Sequence, residues 1–258
     1  MIQVDDAIPS LPEHLQVWQQ TLQWQPSPDQ QQLFQAVYAG ILLGNQRMNL
    51  TRITKPCEFW EKHLWDSLSA LRPWLQPMEV RPEWAHAQAV ETVIDIGTGA
   101  GFPGLPAVIA CPNWQVTLLD ATQKKILFLQ ELAQSLGCRQ VKAIADRAEF
   151  LAHQLSHREY YDLALIRAVG SVATCAEYAL PLIKVGGIAV LYRGQWTEAD
   201  SEKLAHATDL LGGSRLAIQA WQTPLTQGTR HCIYLKKQQR TEDAFPRAVG
   251  LPAKQPLA

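Results

Sequence analysis

Residues 92–104 read Thr92-Val93-Ile94-Asp95-Ile96-Gly97-Thr98-Gly99-Ala100-Gly101-Phe102-Pro103-Gly104, an apolar segment with one carboxylate that runs into a glycine-rich loop. The valine and the isoleucines predict a buried parallel strand. Because glycine has no Cβ, the backbone of the loop can approach a ligand closely. The stretch therefore predicts an α/β fold with a cradle for the nucleoside end of a cofactor.

Downstream of this stretch, short strands alternate with amphipathic helices, which predicts parallel βαβ units. Strands are predicted at 91–96, 115–120, 141–145, 162–166 and 188–192, and helices at 122–136, 171–184 and 197–211. Two further strands, 216–221 and 231–235, are joined by a loop too short for a crossover helix. We expect them to form an antiparallel hairpin at the sheet edge. From Gln238 the chain is polar and contains prolines, which predicts a mobile tail.

Upstream of the stretch, apolar residues recur at helical spacing. We predict one helix within 11–24, a second after Pro28, and a third that follows Pro56 and ends before Pro73. In the third, His63, Asp66 and Ser67 share one face, and we expect this polar cluster to tie the helical unit to the sheet.

Composition and charge narrow the class of protein. The chain has 258 residues, 47% of them apolar, and a formal net charge of −1, so contact with a polyanion requires a local cationic cluster. The five cysteines form no C-x-x-C pair, and His153 and His157 have no evident third ligand, so we expect reduced thiols and no metal site. Without a signal peptide or a membrane-length apolar run, the expectation is a cytoplasmic protein, acting as a monomer.

The glycine loop by itself fits two cofactors. Residues 99–104 match the dinucleotide pattern G-x-G-x-x-G, whereas 97–101 match the G-x-G-x-G loop of S-adenosylmethionine enzymes. Asp95 favours the second, since its carboxylate can hold the ammonium of a methionine group, directly or through water, and would repel a pyrophosphate. The edge hairpin is typical of class I methyltransferases. We therefore predict a Rossmann-like S-adenosylmethionine-dependent methyltransferase fold with a small N-terminal helical unit.

Other candidate residues follow the ends of neighbouring strands. Asp120 can accept hydrogen bonds from both ribose hydroxyls of either cofactor. Ala148 and Glu149 stand where an adenine would lie, although an ordinary helix start, with Glu149 favoured by the helix dipole, explains them equally well. Arg167 can bridge the cofactor carboxylate or the acceptor, or it can pair with a neighbouring acid.

The residues around the end of the fourth strand narrow the chemical class of the methyl acceptor. Residues 165–169 lack the Asp/Asn-Pro-Pro-aromatic motif of enzymes that methylate exocyclic amines. Carbon methylation of pyrimidines needs a cysteine nucleophile, but Cys175 lies mid-helix and is expected to pack in the core. An acceptor with its own lone pair, such as the imidazole nitrogen of guanine, stays compatible. Such a reaction needs alignment and desolvation more than a general base.

Several segments together resemble the bacterial small-subunit rRNA guanine methyltransferase family RsmG, also called GidB. They are the loop 95–104, Asn49-Leu50-Thr51, His63-x-x-Asp66-Ser67, Asp120-Ala121-x-x-Lys124-Lys125, Arg147-Ala148-Glu149, Arg167-Ala168 and Phe245-Pro246-Arg247-x-x-Gly250-x-Pro252-x-Lys254-x-Pro256-Leu257. The resemblance runs from about residue 30 to the last residue. Residues 1–25 look like an extension, and Tyr192-Arg193-Gly194 stands where the family more often has a lysine before the glycine.

The resemblance implies methyl transfer from S-adenosylmethionine to ring nitrogen 7 of one guanine in the decoding-region loop of 16S rRNA. It also implies cofactor contacts at Gly97, Phe102, Ala148, Glu149 and Arg167, with the ribose at Asp120, Ala121 and Thr122. Asp95, Gly99 and Gly101 complete the predicted cofactor-binding set, and Arg167 is the candidate for orienting the acceptor. The predicted parts are a helical extension and unit (1–85), the cofactor-binding methyltransferase domain (86–240) and a Pro-containing tail (241–258).

Cations with few acids nearby are the candidate RNA contacts. The loop between Gly44 and Cys57 provides Arg47, Asn49, Arg52 and Lys55, although a solvated loop would look the same. Further candidates around the predicted active edge and tail are Lys124, Lys125, Arg193, Arg247 and Lys254. The predicted partner is 16S rRNA or the small ribosomal subunit. The alternative functions are a non-enzymatic cofactor-sensing or ribosome-assembly factor and, less favoured, an NAD-binding oxidoreductase.

Overall fold

A seven-stranded sheet with the order β3-β2-β1-β4-β5-β7-β6 forms the centre of the computed structural model, which describes residues 8–86 and 89–257. The strands are Thr92–Ile96 (β1), Gln115–Asp120 (β2), Val141–Ala145 (β3), Tyr161–Arg167 (β4), Ile183–Arg193 (β5), Gly213–Gln222 (β6) and Thr229–Lys237 (β7). The first five strands are parallel, and β7 runs antiparallel to both β5 and β6. The predicted parallel sheet with an antiparallel hairpin at its edge is confirmed.

Helices precede the sheet and cover both of its faces. They are Leu15–Leu22 (α1), Pro28–Asn45 (α2), Pro56–Ser69 (α3), Arg72–Leu75 (α4), Glu83–His86 (α5), Gly104–Ala110 (α6), Gln123–Ser135 (α7), Ala148–Leu151 (α8), Val172–Ala179 (α9), Glu198–Leu210 (α10) and Leu251–Lys254 (α11). A π-helical segment, Trp60–Trp65, interrupts α3, and Met78–Val80 forms a 3-10 turn.

The alternation of side chains along the strands divides the core between two faces. Val93 packs in one cluster with α2, α3, α6 and α7, whereas Ile94 and Ile96 pack in the other with α9 and α10. Asp95 shares the parity of Val93 and therefore points towards the face that the helical unit covers. The cradle loop after β1 thus lies against that unit.

Local sequence explains where the helical unit begins its longest helix. Ser27 caps α2 by accepting from the Gln30 N–H, Gln30 returns the bond to the Ser27 N–H, and Pro28 occupies the first turn. The predicted helices are confirmed, with one shift near Pro73. This proline does not simply end α3, because it lies in the first turn of the separate short helix α4.

Two predicted boundaries within the sheet region are wrong. The helix predicted at 171–184 ends at Ala179, and β5 begins at Ile183 rather than 188, because its first residues pair with the start of β4. Helix α6 was not predicted, since the glycines before it resemble a loop that continues.

The prediction of a mobile tail is also wrong. Arg158 donates hydrogen bonds to the carbonyl oxygens of Thr241, Glu242 and Phe245, and Pro252 is buried. The tail therefore packs along the domain and ends in α11. Prolines and polar residues allow this path because its backbone groups bond to side chains of the domain rather than to a neighbouring strand.

No helix within the described ranges is long and apolar enough to cross a membrane.

Candidate functional site

The strand order reverses between β1 and β4, and the main candidate site lies at this switch point. A cleft of about 350 Å³, here called the glycine-loop cleft, opens beside the ends of β1, β2 and β3. Its lining includes Gly97, Asp120, Ala121, Ala148, Glu149 and Gly170. The structure therefore brings together predicted cofactor residues that follow separate strands.

The glycines of the loop have different physical roles. Gly97 and Gly99 have φ values of +71° and +61°, which favour glycine, and a Cβ on Gly99 would meet nothing closer than 3.9 Å. A Cβ on Gly97 or on Gly101 would instead lie 2.6 Å from a side chain, that of Val169 or that of Leu105, and Gly101 also has a positive φ, of +95°. Gly101, predicted as a cofactor residue, is thus required by the packing of α6 on the loop, whereas Gly99 leaves open space at the backbone.

Asp95 is fully buried and holds the loop from within. Its Oδ2 accepts hydrogen bonds from the Thr98 hydroxyl at 2.6 Å and from the Gly104 N–H at 2.7 Å. Its Oδ1 is buried with no hydrogen-bond partner in the described part of the chain. Burial raises the pKa of Asp95 to about 6, although the two hydrogen bonds oppose the rise. An unpaired buried carboxylate oxygen is suited to a donor such as an ammonium group. Asp95 itself does not line the glycine-loop cleft but lies buried within the loop, so its contact with a cofactor stays a prediction.

Asp120 joins the glycine loop to the residues that follow β2. Its Oδ2 accepts from the Gly99 N–H at 3.0 Å, and its Oδ1 accepts from the Thr122 N–H at 2.8 Å. Each carboxylate oxygen has a further lone pair, so Asp120 can still accept from a pair of ribose hydroxyls. Ala121 is exposed at the rim of the cleft, and Thr122 begins the approach to α7.

Glu149 faces the glycine-loop cleft, but its carboxylate is already engaged. Its Oε1 accepts from Arg147 at 2.9 Å, from the Tyr178 hydroxyl at 3.2 Å and from the Gly250 N–H at 2.9 Å. Burial would raise the pKa of Glu149, but the bonds from Arg147 and Gly250 hold it below its ordinary value. The observed contacts of this carboxylate anchor the tail, and Ala253 of the tail lines the cleft, so a contact between Glu149 and a base stays a prediction.

Phe102 points away from the cleft and into the helical unit. Its ring is 4% exposed and stacks on the imidazole of His63, with centroids 4.3 Å apart and planes 5° from parallel. Burial, with additional effects of Arg167 and Lys62, lowers the pKa of His63 to about 3, so the imidazole is neutral. His63 Nε2 lies 2.8 Å from the Thr51 hydroxyl. A predicted cofactor residue thus contacts, through one imidazole, the loop that carries the candidate RNA residues.

Arg167 forms an ion pair instead of projecting freely. Its Nη1 donates to Asp66 Oδ2 at 2.9 Å and to the Lys62 carbonyl at 3.0 Å. The other oxygen of Asp66 accepts from Arg230 Nε at 3.1 Å. The pairing with a neighbouring acid, which the sequence left open for Arg167, is therefore the observed contact. As predicted, the polar face of α3 ties the helical unit to the sheet.

These charges border a second cleft of about 620 Å³, here called the arginine cleft, at the ends of β4 and β5. Three arginines line it, Arg167, Arg193 and Arg230, together with Ala168 and His231. Arg193 donates to the Gly170 carbonyl at 2.7 Å. Ala168 lines this cleft and Gly170 lines the first, so one short turn separates the two cavities.

The remaining RNA candidates occupy different surroundings. Most lie at the surface: Arg47, Asn49, Arg52, Lys55, Lys124 and Lys254 are exposed, and Lys125 is half-buried. Arg247 is a correction. Its guanidinium donates to the fully buried Glu177 at 2.7 Å and to the Gln255 carbonyl at 2.8 Å, so it anchors the tail rather than presenting a free cation.

Some residues that build the site were not recognised in the sequence. Arg230 lies far along the chain from Asp66, and Glu61 is buried in the π-helical segment. The Glu61 carboxylate accepts from the Thr226 N–H at 2.9 Å and from the Thr226 hydroxyl at 2.6 Å, which fixes the loop between β6 and β7. A charged residue within an apolar helical face was the signal that could have identified Glu61. Among the described residues, no three potential metal ligands cluster.

Comparisons with known proteins agree with this geometry. The family model described as "GidB: rRNA small subunit methyltransferase G" matches residues 30–233. The ribosomal RNA small subunit methyltransferase G of Trichormus variabilis is 52% identical over 247 residues, 96% of this chain and 98% of the relative. The protein with the same name from Synechococcus elongatus is 54% identical over 240 residues, 93% and 95% of the two chains.

Solved structures show the likeness of fold. The crystal structure of the antibiotic-resistance methyltransferase Kmr superimposes with a TM-score of 0.50 at 13% sequence identity, covering 60% of this chain and 90% of that chain. The predicted methyltransferase fold is thereby confirmed.

Proposed function

We propose the acceptor atom and the binding mode for this chain, which belongs to the rRNA small subunit methyltransferase G family. As a member, the chain is an S-adenosylmethionine-dependent rRNA methyltransferase, as predicted. The acceptor that we propose is ring nitrogen 7 of one guanine in the decoding-region loop of 16S rRNA. The attack is direct and in line, without a covalent intermediate.

One observation supports this binding mode: two clefts meet at the turn after β4. The glycine-loop cleft has room for the cofactor, with Asp120 for its ribose and Ala148 beside its base. The unpaired oxygen of Asp95, which would take the ammonium of the cofactor, is buried within the glycine loop rather than in the lining of the cleft. The arginine cleft presents three arginines against two aspartates, Asp66 and Asp200, and the excess of positive charge suits a phosphate-bearing acceptor. Only residues 168–170 separate the two, so a guanine held by the arginines can reach a methyl group held in the other cavity.

The residues of the arginine cleft suit an acceptor that loses no proton. When bound, S-adenosylmethionine supplies an electrophilic methyl group; the bond from guanine nitrogen 7 to carbon forms as the sulfur–carbon bond breaks. Arg167 is fixed by Asp66, so its guanidinium is an orienting charge that cannot act as a base. The arginine cleft is lined by one cysteine, Cys232, which is buried, and burial raises the pKa of its thiol well above the ordinary value. Burial likewise raises the pKa of Cys175 to about 12, and both thiols therefore argue against a covalent route.

A methyl-transfer assay tests the proposal. Purified protein is incubated with methyl-labelled S-adenosylmethionine and small subunits that lack the modification, and the labelled nucleoside is identified by mass spectrometry. We expect 7-methylguanosine at one position, and its loss in Asp95→Ala and Arg167→Ala variants that remain folded. A labelled nucleoside other than 7-methylguanosine would contradict the acceptor.

The same assay separates the alternatives. A cofactor-sensing or ribosome-assembly factor would bind S-adenosylmethionine without turnover, and an oxidoreductase would bind NADH instead. Because the chain belongs to a methyltransferase family, neither the non-enzymatic factor nor the oxidoreductase is favoured. Comparing naked 16S rRNA with isolated small subunits identifies the assembly state that the enzyme accepts.

The setting of the reaction follows from its substrate. We propose that the chain works in the cytoplasm, with 16S rRNA or the small subunit as its partner, and as a monomer, which light scattering on the purified protein tests. We keep the division into 1–85, 86–240 and 241–258 as a proposal, with the tail as a wall of the glycine-loop cleft.

A further inference from the structure

A third cleft, of about 530 Å³, runs between α2 and α7, and its lining differs from that of the other two. Gly40 and Gly44 allow the helices to approach closely, since a Cβ on either would lie 2.5 Å from a side chain of α7. Leu132 and Phe128 form the floor, and two exposed side chains, Leu43 and Leu127, form the walls. This surface is here called the α2–α7 cleft.

Cations stand at one end of this apolar surface. Arg47, just after α2, and Lys124, in the first turn of α7, both line the cleft and are exposed. Neither forms an ion pair or a side-chain hydrogen bond with any residue in the ranges 8–86 and 89–257. Glu131, the acidic residue of the lining, lies two helical turns from Lys124.

The cationic end lies close to the site of methyl transfer. Lys124 follows Asp120 and Ala121, which line the glycine-loop cleft. Arg47 begins the loop that contacts His63 through Thr51. The cationic end of the cleft therefore adjoins the segment after β2, which lines the glycine-loop cleft, and the loop after α2, which contacts His63.

We propose that the α2–α7 cleft is a second RNA contact, which takes one unstacked nucleotide of the substrate rRNA away from the guanine that is methylated. Phosphates bind Arg47 and Lys124, and the base lies on the apolar surface of Leu43, Leu127 and Phe128. Single-stranded RNA is recognised through such splayed bases together with its phosphates. Charge complementarity favours RNA over an apolar protein segment, since the lining presents two cations that are unpaired within the described ranges, Arg47 and Lys124, against one acid, Glu131, and phosphates are neutralised by such cations.

Paired variants test the proposal, which rests on the proposed function. Arg47→Ala combined with Lys124→Ala should raise the KM for small subunits about tenfold and leave kcat and the Kd for S-adenosylmethionine unchanged. The Kd for a 16S rRNA fragment is measured without cofactor at several salt concentrations. The slope of log Kd against log salt concentration should be smaller by about 1.4 in this variant, because two contacts with single-strand phosphates are lost. Leu127→Gln should weaken the same Kd with an unchanged salt slope.

A control and a crosslink complete the design. The double variant Arg139→Ala, Arg215→Ala removes the same charge from exposed positions outside the clefts, and it should behave as the parent protein. If the cleft variant matches this control in KM and in salt slope, the proposal is overturned. A photoreactive side chain at position 127 should crosslink to 16S rRNA, and a crosslink to a ribosomal protein alone would overturn it as well.

The failures of the two proposals are distinguishable. RNA binding is measured without turnover, so an absence of methyl transfer by the parent protein would contradict the proposed function and leave the cleft to be judged by its Kd and crosslink.

Discussion

The pH dependence of cofactor binding follows from the buried carboxylate at the end of β1. The pKa of Asp95 is about 6 in the folded protein, against an ordinary value of 3.8. An ammonium group binds the ionised form, so below pH 6 each unit of pH weakens binding about tenfold as the proton competes. At pH 5 we expect the Kd for S-adenosylmethionine to be about tenfold higher than at pH 7. Asp95→Asn removes this dependence and weakens binding at pH 7 by about 10- to 100-fold, the value of a charged hydrogen bond.

The same carboxylate affects stability in the absence of cofactor. Because its pKa is raised on folding, Asp95 favours the folded state below pH 3.8, and this contribution is lost as the pH rises through 6. A shift of about two pKa units corresponds to about 3 kcal/mol in the free energy of unfolding. In the Asp95→Asn variant, the free energy of unfolding should not decrease in this way between pH 3.8 and pH 6.

Calorimetric titration of cofactor and urea unfolding, both between pH 4.5 and 7, measure the two effects. Asp209→Asn, at an exposed position on α10, is the control and should follow the parent protein. A parent Kd that stays constant from pH 5 to 7, or a variant with the same pH slope as the parent, would refute the reasoning.

Three further substitutions test the packing around the site. Gly104→Ala places a Cβ against Leu118 and should cost about 1–3 kcal/mol in urea unfolding, more than Gly194→Ala, whose Cβ meets nothing within 4 Å; equal costs would count against the packing argument. Asp66→Ala leaves two arginines without a partner, and we expect a loss of about 2–3 kcal/mol together with lower methyl transfer, so unchanged stability would contradict the shared ion pair. Glu177→Ala should free the tail for limited proteolysis within 241–257, and resistance equal to that of the parent would show that other contacts hold it.

Features that depend on neighbouring residues could be predicted from the sequence. The β-branched run of β1, the glycines after it and the short connection between β6 and β7 each fix local geometry. The burial of Asp95 could be predicted, because its place near the end of a buried strand is a local property. The acceptor could not be derived in this way, and it rests on the resemblance and then on the family.

Contacts between distant segments could not be predicted. Arg167 lies 101 residues from Asp66, and Arg247 lies 70 residues from Glu177, so no periodicity of the sequence connects them. For this reason the packing of the tail was not predicted. Its composition resembles that of mobile segments, but the buried carboxylate of Glu177 holds it through Arg247. Gly101 shows the converse, since a residue type that suggested a ligand contact is required by a leucine behind the loop.

The stacked rings of Phe102 and His63 have a consequence for how the two substrates of the reaction affect each other's binding. Two loops contact this ring pair. The glycine loop after β1 supplies Phe102 itself, and Thr51, in the loop that carries the candidate RNA residues, contacts His63 Nε2. Binding free energies that are coupled through a shared element are reciprocal. Whatever factor the bound methyl donor contributes to the affinity for RNA through these rings, bound RNA contributes the same factor to the affinity for the donor.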